Sequence, residues 1–288
     1  MKKILTALLL LMLVLVTGCG GDTPAKTDGD KPADANKVKI GMITRLNASE
    51  ESFGEFMKKV ENTLDVKISS HTPVFFDNLN AMQMALQSGQ INEISTYRSV
   101  ARYMIAKDPR YQVLKDHSLE FIDSFCFALR EDETELLNSL NMVIKEMQSD
   151  GTLDRLTKEY ITDISTDKDP PAVEMPHFDS APTIKVAVTG DLPPLDYVSA
   201  DGKPAGFNTA VLAEIGNRLL RNIELVDVDS GARAAALTSK QVDVVFWSIV
   251  PVSEIIPSDT DKPAGTVLTE PYFKDKIVHI IFKDKEKK

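Results

Sequence analysis

One pattern occurs twice in this chain, and the repeat limits the fold more than any other feature. The first copy, residues 81–94, ends an apolar helix at Leu86, turns through Ser88, Gly89 and Gln90, and enters a buried strand at Ile91. The second, residues 232–245, does the same at Leu237, at Ser239, Lys240 and Gln241, and at Val242. A second repeat supports it, because residues 38–43 and residues 184–189 are similar strands, each opening one half of the chain. Two similar βα units imply two similar lobes, and two facing lobes leave a cleft that suits a small ligand.

The 288 residues suffice to bury sizeable cores. The net charge of −10 supplies no basic footprint, so nucleic acid is not an expected partner. Strands alternate with helices throughout, which gives an α/β class with mainly parallel sheets. Apolar stripes predict helices over residues 50–64, 100–106, 133–147 and 153–160. Asp201-Gly202-Lys203 reads as a hairpin turn, and Asn208 reads as the N-cap of the helix that follows.

No G-x-S-x-G elbow, Walker loop or G-x-G-x-x-G run is present, so no enzyme is expected. The four histidines have no metal-ligand spacing, and neither metal nor cofactor is expected.

Residues 1–19 read as a targeting signal. Lys2 and Lys3 precede an apolar run from Ile4 to Val16, too short for the roughly 20 residues of a membrane span. Val16, Thr17, Gly18 and Cys19 match the lipobox of bacterial lipoprotein precursors, which makes Cys19 the expected lipidation site and mature N-terminus. Residues 20–36 read as a flexible tether. After processing only Cys126 remains beyond Cys19, so no intrachain disulfide is expected, and its apolar surroundings mark it as a small core residue.

The folded part divides at a Pro-rich linker. Several stretches around it resemble the extracytoplasmic solute-binding proteins of polar amino-acid ABC importers (family 3 type). The run from Lys185 through Pro193-Pro194-Leu195-Asp196-Tyr197 to Gly206-Phe207-Asn208 is similar to that family's first-lobe opening. Leu268-Thr269-Glu270-Pro271-Tyr272-Phe273 is similar to a later first-lobe signature. Residues 80–91 and Asp150-Gly151-Thr152-Leu153 resemble its second lobe and closing helices.

The resemblance implies two Rossmann-like lobes with a cleft between them, as in type II periplasmic binding proteins, here in circularly permuted order. Residues 37–165 form the lobe-two-like segment with closing helices, residues 166–182 the linker, and residues 183–288 the lobe-one-like segment. With one crossing between lobes opened by the permutation, a single covalent hinge strand is expected around Phe125 to Leu129. A dimer with swapped halves is the competing arrangement.

Ligands of open α/β sheets bind beyond the carboxyl ends of the strands. The repeats place Thr44, Arg45 and Asn47 after one opening strand and Asp191 after the other. They place Thr96, Tyr97 and Arg98 after one repeat strand, and Trp247 and Ser248 after the other. Arg45 stands opposite Asp191, a cation facing an anion, which suits a zwitterion or other small polar ligand. Rings at Tyr97, Tyr197 and Trp247 could close over its apolar part. The bland readings stay open: Arg45 pairs with Asp191, Trp247 packs in the core, and Tyr97 with Arg98 begins a helix.

The resemblance also implies an Arg shortly after the lobe-one repeat strand and an Asp after the lobe-two strand. This chain has no Arg over residues 249–256, and it has Thr96-Tyr97-Arg98 in place of the Asp. The expectation is a lipid-anchored extracytoplasmic protein that captures a small polar, amino-acid-like solute for an ABC permease and ATPase. The alternative is an extracytoplasmic sensor or a degenerate binding module that recognises another protein.

Overall fold

A small lobe comes first, built from β1 (Val38–Ile43), β2 (His71–Phe76), α1 (Leu79–Ser88), β3 (Glu93–Tyr97), α2 (Arg98–Lys107) and β4 (Tyr111–Val113). A large lobe follows. It opens with β5 (Ile122–Arg130), α3 (Thr134–Ser149) and α4 (Thr152–Thr157), which runs on into a π-helical turn (Lys158–Thr162). Next come β6 (Thr183–Val188), the short strands β7 (Asp191–Leu192), β8 (Asp196–Val198) and β9 (Pro204–Ala205), α5 (Phe207–Leu219) and β10 (Asn222–Asp227). A 3-10 turn (Ser230–Ala232), α6 (Arg233–Thr238), β11 (Val244–Pro251), β12 (Thr266–Leu268) and β13 (Phe273–Phe282) complete the chain.

This computed structural model describes residues 37–44, 54, 58, 60–62, 71–115, 121–165, 170–252, 258–259 and 261–283. The expected signal peptide, Cys19, the tether, Arg45 and Asn47 lie outside the described residues. Residues Lys37–Lys288 form one compact unit.

Both repeat copies fold as helix, left-handed turn and strand. Gly89 (φ 79°) and Lys240 (φ 63°) make the two turns. In each copy the next two backbone N–H groups return to one helix carbonyl: Gln90 and Ile91 to Ala85, Gln241 and Val242 to Ala236. β3 then pairs in parallel with β1, and β11 with β6. Even the side-chain locks correspond. Asn92 Oδ1 accepts from Lys39 N–H at 2.8 Å, and Asp243 Oδ2 accepts from Lys185 N–H at 2.9 Å.

The strands join in one ten-stranded sheet with the order β10-β6-β11-β5-β13-β3-β1-β2, with β12 on β5 and β4 on β13; β7-β8-β9 form a separate small sheet. The expectation of mainly parallel pairing is corrected here. β10, β6 and β11 are parallel, as are β3, β1 and β2, but β5 and β13 between them run antiparallel to their neighbours.

The single hinge strand is corrected too. β5 pairs only with β11, β12 and β13, well inside the large lobe. The chain passes between lobes twice, once between β4 and β5 and once in β13. That strand pairs with β5 through Phe273–Lys276 and with β3 and β4 from Ile277 on. The first and last described strands, β1 and β13, both pair with β3 in the small lobe.

The helices α3 and α4 cover the large lobe beside α5. Arg218 of α5 binds Asp150 at 2.8 Å and Thr152 Oγ1 at 2.9 Å. Cys126 is buried, and burial pushes its thiol up to about 12, so it behaves as core. The N-cap of α5 is Gly206, not Asn208. Gly206 has φ 111°, and a Cβ there would lie 2.5 Å from the Leu195 carbonyl oxygen. Only glycine fits that position. Asn208 is displaced into the first turn, where its Oδ1 accepts the Tyr272 hydroxyl at 3.0 Å.

Candidate functional site

Between the lobes lies a cavity of about 40 Å³. The small lobe contributes the ends of β1 and β3 (Met42, Ile43, Thr44, Ser95, Thr96, Tyr97), and β13 adds Ile277 at the crossing. The large lobe contributes Arg233, Trp247, Ile249 and Asp261. It therefore sits beyond the carboxyl ends of parallel strands, where the open-sheet rule puts ligands.

Four of the sequence-named residues meet there: Thr44, Thr96, Tyr97 and Trp247. Tyr97 is aimed by its own hydroxyl, which donates to Asp123 Oδ2 at 2.7 Å across the lobes. Its ring meets Phe125 edge-on at 4.7 Å and Trp247 at 5.9 Å. Trp247 is aimed by a bulge. The β11–β5 register shifts between Val245 and Ser248, and Trp247 takes φ 60°. A bulky residue in the left-handed region is strained by about 1–3 kcal/mol, and such strain clusters at ligand sites.

The others lie elsewhere. Ser248 is fully buried beside the bulge. Arg98 is exposed at the start of α2. Asp191 and Tyr197 belong to a separate contact between the lobes. Asp191 Oδ2 accepts Leu79 N–H at 2.9 Å, and the Tyr197 ring lies 6.1 Å from Tyr103 of α2.

Arg233 is the residue that sequence reasoning missed. It is 1% exposed, and every hydrogen bond described for it goes to a neutral backbone carbonyl. Nε reaches Ser230 at 3.2 Å, Nη1 reaches Phe246 at 3.3 Å and Trp247 at 3.4 Å, and Nη2 reaches Thr44 of the opposite lobe at 3.4 Å. Its guanidinium lies 5.2 Å from the centre of the Trp247 ring. Burial pulls Arg233 down to about 10, opposed by the charges of Asp261 and Asp196, so it stays cationic at neutral pH. A buried guanidinium served only by long bonds to carbonyls is under-compensated by several kcal/mol. Trp247 Nε1 and the Ser248 and Ser230 hydroxyls are also buried without a hydrogen-bond partner among the described residues. The signal was present in the repeat, which sets Arg233 opposite Met82, a fully buried core position.

Burial also decides the role of Asp261. It is 1% exposed, it lines the same cavity, and its Oδ2 accepts Ile249 N–H at 3.3 Å. One wall thus carries both a cation and an anion. Among the described residues no group of three or more His, Cys, Asp or Glu could hold a metal, and no helix is long and apolar enough to cross a membrane.

Residues 184–254 match the family of bacterial extracellular solute-binding proteins, family 3. That family is one of binding proteins, not of enzymes, and the matched segment carries Arg233, Trp247 and Ile249 of the cavity. No curated protein matches the chain. Solved structures that resemble it include the GluR0 ligand-binding core in complex with L-glutamate, at 11% identity and TM-score 0.41, covering 87% of this chain and 86% of that one. The methionine-binding protein MetQ follows at 10% identity and TM-score 0.42, covering 88% and 85%. A nutrient-binding protein from Burkholderia cenocepacia bound to methionine gives 11% identity and TM-score 0.39, covering 87% of each chain.

Proposed function

We propose that this solute-binding chain captures a small, amino-acid-like solute between its lobes and delivers it to the permease and ATPase of an ABC importer. One observation carries the reading: a fully buried Arg233, served only by carbonyls, lines the cavity between the lobes. A solute carboxylate would supply the charge-assisted partner that Arg233 lacks. Asp261 would face the solute's ammonium, and Thr44, Ser95 and Thr96 would complete its polar contacts. Tyr97 and Trp247 would lie over its apolar part.

Lipidation at Cys19 and the tether of residues 20–36 would hold the protein at the outer face of the membrane. In this reading the chain is a circular permutation of its family, with residues 37–115 and the end of β13 as lobe two, residues 166–182 as the joining linker and the large lobe as lobe one. The expected bounds of 37–165 and 183–288 are corrected, because β5 pairs inside the large lobe and β13 from Ile277 on pairs with β3 and β4. Support comes from the family match at residues 184–254, in the second half of the chain, and from both termini of the folded part lying on the small lobe.

The test is a thermal-shift screen of the chain from residue 20 against amino acids, small peptides and amine-free carboxylates. A solute at about 100 times its dissociation constant adds roughly 2.7 kcal/mol, which raises Tm by several degrees. The shift is expected for amino acids and lost in Arg233→Met. A flat response across the panel would sink the proposal.

A further inference from the structure

Asp191 stands outside the cavity, yet it ties the lobes together. Its Oδ2 accepts the N–H of Leu79, the first residue of α1, across 112 positions of sequence. That N–H is one of the helix donors with no partner inside the helix. The Asn78 side chain serves another, at Ala81, so α1 gets part of its cap from its own lobe and part from the other.

The loop that presents Asp191 is held from behind. Asp196 Oδ2 accepts Thr189 N–H at 2.8 Å, Gly190 N–H at 2.9 Å and the Thr189 hydroxyl at 3.1 Å. Beside this contact the lobes approach closely again, since a Cβ on Gly231 would lie 3.0 Å from Asp77 Oδ1. The carboxylate thus meets α1 from a fixed base, and α1 packs on β1 and β3, whose ends form the cavity wall.

We infer that Asp191 is a positioning residue, an interlobe latch whose carboxyl holds the first turn of α1 and thereby keeps the solute cleft closed. The inference goes beyond solute capture and does not depend on which solute binds. Its pH dependence follows from the surroundings. Asp191 faces Asp196 of β8 and the Asp227 and Asp229 side chains at the end of β10. On the other lobe Asp77 precedes α1, and α1 itself carries no charged residue.

Burial, chiefly, and those acidic neighbours push Asp191 up to about 6 against the pull of Leu79 N–H. Opening returns the group to water and toward the ordinary carboxylate range. The closed form therefore takes up a proton, and closure strengthens as pH falls through about 6 and weakens above it. Either protonation state can accept from Leu79 N–H; the charge is what opposes closure.

The test needs no solute. Spin labels at Met84→Cys on α1 and Asn217→Cys on α5, both exposed, report the distance between lobes in the chain from residue 20; Cys126 is buried and stays unlabelled. The otherwise unaltered chain should show a short-distance population at pH 5 that diminishes by pH 8. Asp191→Asn keeps the acceptor without the charge and should hold the short distance at both pH values. Asp191→Ala should lose it at both. An unchanged distance in Asp191→Ala, or an Asp191→Asn profile that tracks the unaltered chain, overturns the inference. Because the Asn variant keeps the hydrogen bond, an unfolded Ala variant still leaves the decision to the pH profile.

Discussion

The two repeat units share a backbone and differ in what they bury. Met82 and Arg233 occupy the same position of the two helices, and both are almost wholly buried. Met82 packs beneath β1 so closely that a Cβ on Gly41 would lie 2.9 Å from its Cγ and 2.5 Å from Ile91 Cδ1. Arg233 instead turns its guanidinium to the cleft and to the carbonyls of a bulged strand. The strands diverge in the same sense. β3 runs regularly against β13 through Thr96, whereas β11 breaks register where Trp247 answers to Thr96. The helix of one copy buries an apolar side chain; that of the other buries a charge beside a strained ring. Arg233 and Trp247 of the second copy both line the cavity between the lobes.

Exchanging the distinguishing residues is the strongest way to break that comparison. Met82→Arg puts an unpaired guanidinium under β1, and a loss above about 4 kcal/mol is expected, read as failure to fold or collapse of the urea midpoint. The reciprocal Arg233→Met removes an under-compensated charge. It should raise stability by about 1–4 kcal/mol in urea titrations while abolishing any solute-dependent thermal shift. A fall in stability would show that Arg233 serves the fold, and the contrast between copies would lose its meaning.

Two smaller changes sharpen it. Gly41→Ala should cost about 1–3 kcal/mol by overpacking against Met82 and Ile91, also read from the urea midpoint. Lys240→Gly makes the second turn like the first. Relief of the left-handed strain at φ 63°, reduced by the entropy of glycine, should leave a gain of about 0.5–1 kcal/mol, measured as a rise of a few degrees in Tm.

Much of this was legible in the sequence because it is local. Helix, turn and strand in each repeat follow from short-range patterning, and so do the strand ends that carry Thr44, Thr96, Tyr97 and Trp247 to one cavity. What escaped is non-local. Nothing around Phe125 says that β5 pairs with β11, more than a hundred residues later, so it reads as a hinge rather than as the middle of the large lobe's sheet. Asn208 has the propensity of a cap, but the close approach of Gly206 to Leu195 takes that place, and Tyr272 then claims its side chain. Arg233 looks like a solvated helix residue until its partner in the repeat is seen to be Met82.

The place of β5 has a consequence for how the molecule comes into being. Its side chains from Asp123 to Arg130 are all buried, and every strand it pairs with lies beyond residue 243. A nascent chain therefore presents this largely apolar ribbon, both edges open, until β11 and β13 have emerged. Such an edge invites pairing with other chains. Truncation between Val244 and Lys276 would leave it without part of its pairing. The large lobe cannot be finished early, and the final strand to emerge, β13, is also the one that joins the two lobes.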